Sequence, residues 1–334
     1  MATIKKIIND PHDVAKEALE GLALVYHDDV TYYQECATLV RKDLPRGKVG
    51  LLVGGGSGHE PLFSGYIGEN LADGAVNGNI FAAPTPDKIL CATEKINQGA
   101  GVLYLYGNYA GDNMNFDIAA ELAEMKNIQT RTVRVWDDVA SAPKERIDDR
   151  RGIAGDLFVI KIAGAAAANL NDLDEVYRVA VKARDNVCSI GVALSPGSIP
   201  ETGEYTFELG ADELEIGMGL HGEQGVSREK MMTADILVEK MLDNILGDLP
   251  FSAGDKVCLL INNLGASTMM ELLIANRRTR ELLDQHGIQV HDTLIGSYCT
   301  SQEMAGFSIT LLKLDDELQA YYDMPTHSFA FTKR

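Results

Sequence analysis

The chain has 334 residues, 46% of them hydrophobic and 24% charged, with a formal net charge of −19. That length fits about two globular domains of ~150 residues each, with core enough to need no disulfides. The acidity argues against nucleic acid, whose phosphates require a basic surface, and against anionic membranes, and it reads most simply as solubility.

The N-terminal MATIKKIINDPHD lacks a secretory apolar core, and no run approaches the ~18 apolar residues of a membrane helix. Five cysteines, at 36, 91, 188, 258 and 299, form no CxxC pair. Their odd number and apolar surroundings predict buried, reduced thiols in a cytoplasmic protein.

Taken from the N-terminus, the first predicted element is a helix over Asp13 to Tyr26, with Val14, Ala18, Leu22 and Val25 on one face. Strands and helices then alternate. Strands are predicted over Lys48 to Val53, Gly101 to Tyr106 and Thr130 to Trp136, with helices over Pro86 to Ile96 and Asn115 to Met125. An Ala-rich helix spans Gly155 to Asn169, and another spans Asp174 to Ala183. A domain transition is placed at Asp185, giving domains over 1–185 and 186–315. Beyond it the predicted strands are Val187 to Leu194, Glu213 to Ile216, Val257 to Ile261, Val290 to Ile295 and Phe307 to Leu312. Long helices are predicted over Ser227 to Leu246 and Thr268 to His286. The alternation implies an α/β fold of two domains, each a mixed sheet flanked by helices. There is no internal repeat of 20–50 residues.

Ligands of such sheets sit beyond the carboxyl ends of strands, and four loops with unusual residues fall there. The first is LLVGGGSGHEP. A P-loop would need Lys and then Ser/Thr after its last glycine, where His59 and Glu60 stand. A dinucleotide fingerprint from Gly54 would need glycine at position 59. A nucleophile elbow around Ser57 would need glycine there too. The glycines instead let backbone approach a small ligand beside His59; the plainer alternative is a tight strand-to-helix turn. The second loop, YGNYAGDNMNFD, offers Asp112. By itself it reads as a helix cap, and alternatively as a carboxylate that accepts a proton at a ligand site. The third, EIGMGLHGEQG, frames His221 with glycines at 217, 219, 222 and 225. His59, His221 and Asp112 are also plausible metal-ligand types, but no HxH or HExxH spacing supports a metal, and none is assigned. The fourth, INNLGASTMMEL, enters a helix whose N-terminus would suit an anion, or serves as a packing turn.

In order along the chain, GGGSGHEP, PTPDKI, NYAGDNMNF, RRGIAG, GLHGE, NNLGAS and CTSQEMAGFSITLL resemble the substrate-binding subunit of dihydroxyacetone kinase, the DhaK family. The resemblance covers essentially the whole chain. It implies that a histidine, His221 here, holds a short ketose as a covalent hemiaminal. Gly56, Ser57, Gly58 and His59 match the substrate loop, and His59 with Asp112 match the acid/base pair at the phosphorylated hydroxyl. It further implies a homodimer, and a C-terminal tail (316–334) that returns to complete the first domain. Mg²⁺ and ADP or ATP are expected on a nucleotide-binding partner subunit, with a phosphotransferase-system protein as a possible phosphoryl donor.

The sequence departs from the family pattern at Gly107, where Lys precedes the NYxGD motif, and at Ala82 and Ala83, where FTSPTP has hydroxyls. Losing those donors weakens discrimination, so a longer ketose such as erythrulose or a pentulose stands beside dihydroxyacetone as the expected substrate. The rival reading is a non-catalytic ketose sensor, which needs only His221. A Rossmann dehydrogenase is opposed by the failed fingerprint.

Overall fold

The computed structural model describes residues 4–334. A first sheet of six strands is built from β1 (Val30–Tyr33), β2 (Thr38–Arg41), β3 (Gly50–Ser57), β4 (Gly74–Ile80), β5 (Val102–Gly107) and β6 (Thr130–Val135), in the order β1-β2-β4-β3-β5-β6. The β4-β3-β5-β6 part is parallel, and β1 and β2 add antiparallel pairs at one edge. A second six-stranded sheet comprises β7 (Val187–Ser195), β8 (Glu213–Ile216), β9 (Ser227–Lys230), β10 (Lys256–Asn263), β11 (Gln289–Gly296) and β12 (Ala305–Leu314). Its order is β9-β8-β7-β12-β10-β11, antiparallel except for β10 with β11.

Eight α-helices are present among the described residues: α1 (Val14–Val25), α2 (Pro86–Ile96), α3 (Ala110–Met125), α4 (Asp156–Asn169), α5 (Leu173–Asp185), α6 (Ala234–Asp248), α7 (Met269–Gln285) and α8 (Asp316–Tyr322). The two-residue side-chain period of a strand decides which layer each residue joins. In β5, Leu103 and Leu105 face one apolar cluster, while Val102, Tyr104 and Tyr106 face another under α2 and α3. In β10, Cys258 and Leu260 point inward, and Val257, Leu259 and Ile261 point toward α6 and α7. The inner faces of both sheets therefore share one cluster, filled by α4, α5 and α8. An apolar helix with no polar face must be surrounded on all sides, and α4 is buried from Asp156 to Ala167. Tyr322 of α8 is fully buried and meets Phe158 of α4 edge-on at 5.9 Å.

Three expectations need correction. The helix predicted from Ser227 begins only at Ala234, and Ser227–Lys230 is an edge strand held by Arg228 on Glu215. The helix predicted from Asn115 begins at Ala110, which puts Asp112 inside its first turn. Strands β1, β2 and β4 were not expected. Glycine and asparagine disfavour strands, so GAVNGNI carries little strand signal, yet β4 lies inside the sheet, where Gly74 lets Ile96 approach.

Candidate active site

The cavity lies at the carboxyl ends of β3 and β5. It is narrow, with a cavity volume of about 20 Å³ inside about 310 Å³ of unfilled space that opens to solvent. Its lining includes Gly54, Gly55, Gly56 and His59 from the first loop, Gly107, Tyr109 and Asp112 from the second, Gly152 and Asp156 from the RRGIAG segment, and Leu220 and His221 from the third. The sequence-predicted His59, Asp112, His221, Gly56 and Gly107 thus share one cavity. Ser57 and Gly58 are absent from its lining. The Ser57 hydroxyl donates to the Gly78 carbonyl at 2.8 Å, and the Gly58 N–H donates to the Glu60 carboxylate. Both shape the loop that presents His59. Gly58 has φ of +101°, a conformation that other residues rarely adopt. Ala82 and Ala83 also lie off the lining, so of the three departures from the family pattern only Gly107 reaches the cavity.

The two imidazoles meet directly. His59 Nε2 and His221 Nε2 are 3.0 Å apart. The Nδ1 of His59 lies 2.8 Å from the Thr300 carbonyl. A carbonyl only accepts, so this nitrogen carries the proton and His59 Nε2 is left as a lone pair. The Nδ1 of His221 lies 3.1 Å from Glu223 Oε1, while Glu223 Oε2 accepts the His221 N–H at 2.9 Å. Glu223 therefore fixes the His221 tautomer and exposes the Nε2 lone pair. The two Nε2 atoms thus lie at hydrogen-bond distance, with donor and acceptor roles set by the tautomers.

Protonation follows from surroundings. Burial and the neighbouring His221 push His59, 4% exposed, down to about 3, so it is neutral at ordinary pH. Burial pushes Asp112, 8% exposed, up to about 7 against the opposing pull of His221. Burial also works against ionised Glu223, but its hydrogen bond with His221, the His221 charge and Arg151 outweigh it and hold the carboxyl at about 2. Asp112 Oδ1 and Asp156 Oδ1 have no hydrogen-bond partner among the described residues. Asp112 is the acid in the first turn of α3, whose N-cap residue is Tyr109.

Distant segments hold this geometry. Arg151 pairs with Asp138 at 2.8 Å, donates to the Gly217 carbonyl at 3.0 Å and lies 3.8 Å from Glu223. It braces the His221 loop from below. The β11–β12 connection clamps both histidines: Thr300 engages His59, and the Ser301 hydroxyl donates to the Leu220 carbonyl. Asn262 fixes that connection through Tyr298 and Cys299. In the NNLGAS loop Asn263 takes up the Gly265 and Ser267 N–H groups, and at the start of α7 Thr268 and Glu271 take up each other's N–H in a capping box.

Sequence reasoning missed Glu223, Arg151, Thr300, Tyr109, Asp156 and Phe81, whose ring stacks on His59 with centroids 5.0 Å apart. Only the GLHGE spacing, with a carboxylate two residues after the histidine, held a local signal. Three His, Cys, Asp or Glu side chains converge at Glu35, Cys36 and Cys91, none of which lines this cavity.

Comparison with known proteins adds the following. The Dak1 domain matches residues 20–330. The chain is 43% identical over 324 residues to the dihydroxyacetone-binding subunit of PTS-dependent dihydroxyacetone kinase 2 of Listeria innocua, covering 96% of this chain and 97% of that one. It is 37% identical to the L-erythrulose 1-kinase of Mycolicibacterium smegmatis, covering 98% of this chain and 58% of that protein. Among solved structures, the dihydroxyacetone kinase operon co-activator Dha-DhaQ superposes with a TM-score of 0.89 at 31% identity, covering 95% of this chain and 98% of that one.

Proposed function

The chain belongs to the Dak1 domain family, and from that premise we propose that it is the ketose-binding subunit of a dihydroxyacetone-type kinase. The observation that carries the proposal is the pairing of His221 and His59 at 3.0 Å, in one cavity with Asp112.

The chemistry follows from the proton positions. The His221 Nε2 lone pair attacks the ketone carbon, the C–N bond forms and the C=O π bond breaks. The carbonyl oxygen, left as an alkoxide, takes a proton from solvent. His59 is left neutral, and the substituted His221 imidazolium is balanced by Glu223. The product is a hemiaminal with no loss of water. A polyol without a carbonyl is rejected, since it offers no carbon to attack. Fixing the ketose in this way converts an encounter into a positioned reaction. Asp112, as carboxylate, then accepts the proton of the terminal hydroxyl as that oxygen attacks a phosphoryl group.

The phosphoryl group is supplied by ATP held with Mg²⁺ on a nucleotide-binding partner, and the ADP that leaves stays there to be exchanged for ATP or recharged in place by a phosphotransferase-system protein. The substrate is dihydroxyacetone or a longer ketose such as erythrulose, and the assembly includes a homodimer of this chain. A sensor reading is favoured by one observation, the likeness to an operon co-activator. Asp112, buried and without a partner for Oδ1, speaks for catalysis, because a sensor has no need of a base.

Intact-protein mass spectrometry after incubation with dihydroxyacetone or erythrulose is expected to show the mass of one whole ketose, localised to His221 and absent in H221A. Phosphorylated ketose should then form when a nucleotide-loaded partner subunit is added. An adduct without phosphoryl transfer would select the sensor, and no adduct with any ketose would overturn the proposal.

A further inference from the structure

Asp156 opens α4 at the floor of the cavity and is 1% exposed. Its Oδ1 has no hydrogen-bond partner among the described residues. The nearby loop N–H groups do not serve it: those of Ile153 and Gly155 donate to Asp137 instead, each at 2.8 Å. Arg151, in the same segment, is committed to Asp138, the Gly217 carbonyl and Glu223. The other carboxylic oxygen lies 3.3 Å from where a β-carbon on Gly107 would stand. A side chain at 107 would therefore crowd this carboxyl, and glycine leaves it free.

A buried carboxyl without partners is costly and is retained where a ligand supplies them. Burial, with Asp137 and Asp112 nearby, pushes its pKa well up. The group is then a carboxylic acid, one donor and one acceptor. An alcohol offers the same pair in reverse.

We propose that Asp156, beside Gly107, is a specificity-determining residue that binds the hydroxyl on the arm of the ketose that is not phosphorylated. This rests on the ketose-binding reading above. His221 would fix the carbonyl carbon, Asp112 the reacting alcohol, and Asp156 the remaining alcohol. The ligand class is a ketone with hydroxyls on both sides of the carbonyl, whether a triose or a tetrulose.

The test is a cycle between protein and ligand. The affinity of adduct formation is measured on the wild type, D156N and D156A with dihydroxyacetone, L-erythrulose and hydroxyacetone, which carries only one hydroxyl. The expected result is a loss of about tenfold or more for one or both polyhydroxy ketones. Hydroxyacetone, still served by Asp112, should change little. The ketose with the larger selective loss identifies the arm length that the subsite fits. A second readout covers misfolding: without ligand, D156N should match or exceed the wild type in thermal stability, because it removes a buried acid from beside two others. Equal losses for all three ligands, or no loss for any, would overturn the Asp156 assignment. Failure of the wild type to form any adduct would overturn the ketose reading itself.

Discussion

A histidine becomes a usable nucleophile when one nitrogen is tied down and the other is bare, and Glu223 supplies the tie for His221. E223Q keeps the shape but lets the amide offer a donor to Nδ1, favouring the wrong tautomer. It is expected to slow adduct formation by about 10²-fold, read by time-resolved mass spectrometry. In the proposed mechanism Asp112 sets the pH response. Its carboxyl is held at about 7, so the base form accumulates as pH rises through that value. The kcat/KM of the reconstituted kinase should climb with pH to a midpoint near 7, and D112N should abolish that limb and lose 10²-fold or more. Stability runs the other way. A raised folded-state pKa means that the native state holds a proton the unfolded chain has released, so this residue's contribution is present at low pH and lost as pH rises toward 7. His59, pushed down to about 3, is opposite: its contribution is full above the ordinary histidine range and lost as pH falls through it toward 3.

Among elements, the α7 start gives a clean contrast between stability and chemistry. T268A removes the capping box and should cost about 1 kcal/mol in denaturant unfolding, with ketose adduct formation unchanged. The elements best read from sequence were those with strong periodicity: α2 has the predicted bounds, and β3, β5, β6, β7 and β12 fall within a few residues. β9 was misread because SREK has no apolar alternation. It is a strand only because β8 offers an edge and Glu215 a partner for Arg228. The site was half legible. His59 and His221 were visible through the glycines around them, whereas Asp112 taken alone reads as a helix cap and was assigned only through the family resemblance. Asp156 was hidden at the start of an Ala-rich helix, where an acid looks like a simple partner for the helix dipole. Thr300 was hidden because its part is played by a backbone carbonyl, 241 residues away from the ring it orients.

At the scale of the whole molecule, the inner faces of both sheets share one apolar cluster, so the chain should unfold in a single cooperative transition. Y322A tests this. It empties a fully buried site between α8 and α4 and removes the hydroxyl that donates to Asp292 at 2.8 Å. The expected cost is about 3–5 kcal/mol by chemical denaturation, with one transition remaining. The clamp formed by Thr300 and Ser301 has a further consequence for biosynthesis. A nascent polypeptide leaving the ribosome displays both imidazoles long before residues 299–304 emerge, yet nothing then orients one ring against the other. On the ketose-binding reading, sugar trapping is thereby withheld from any chain that lacks residues 299–304.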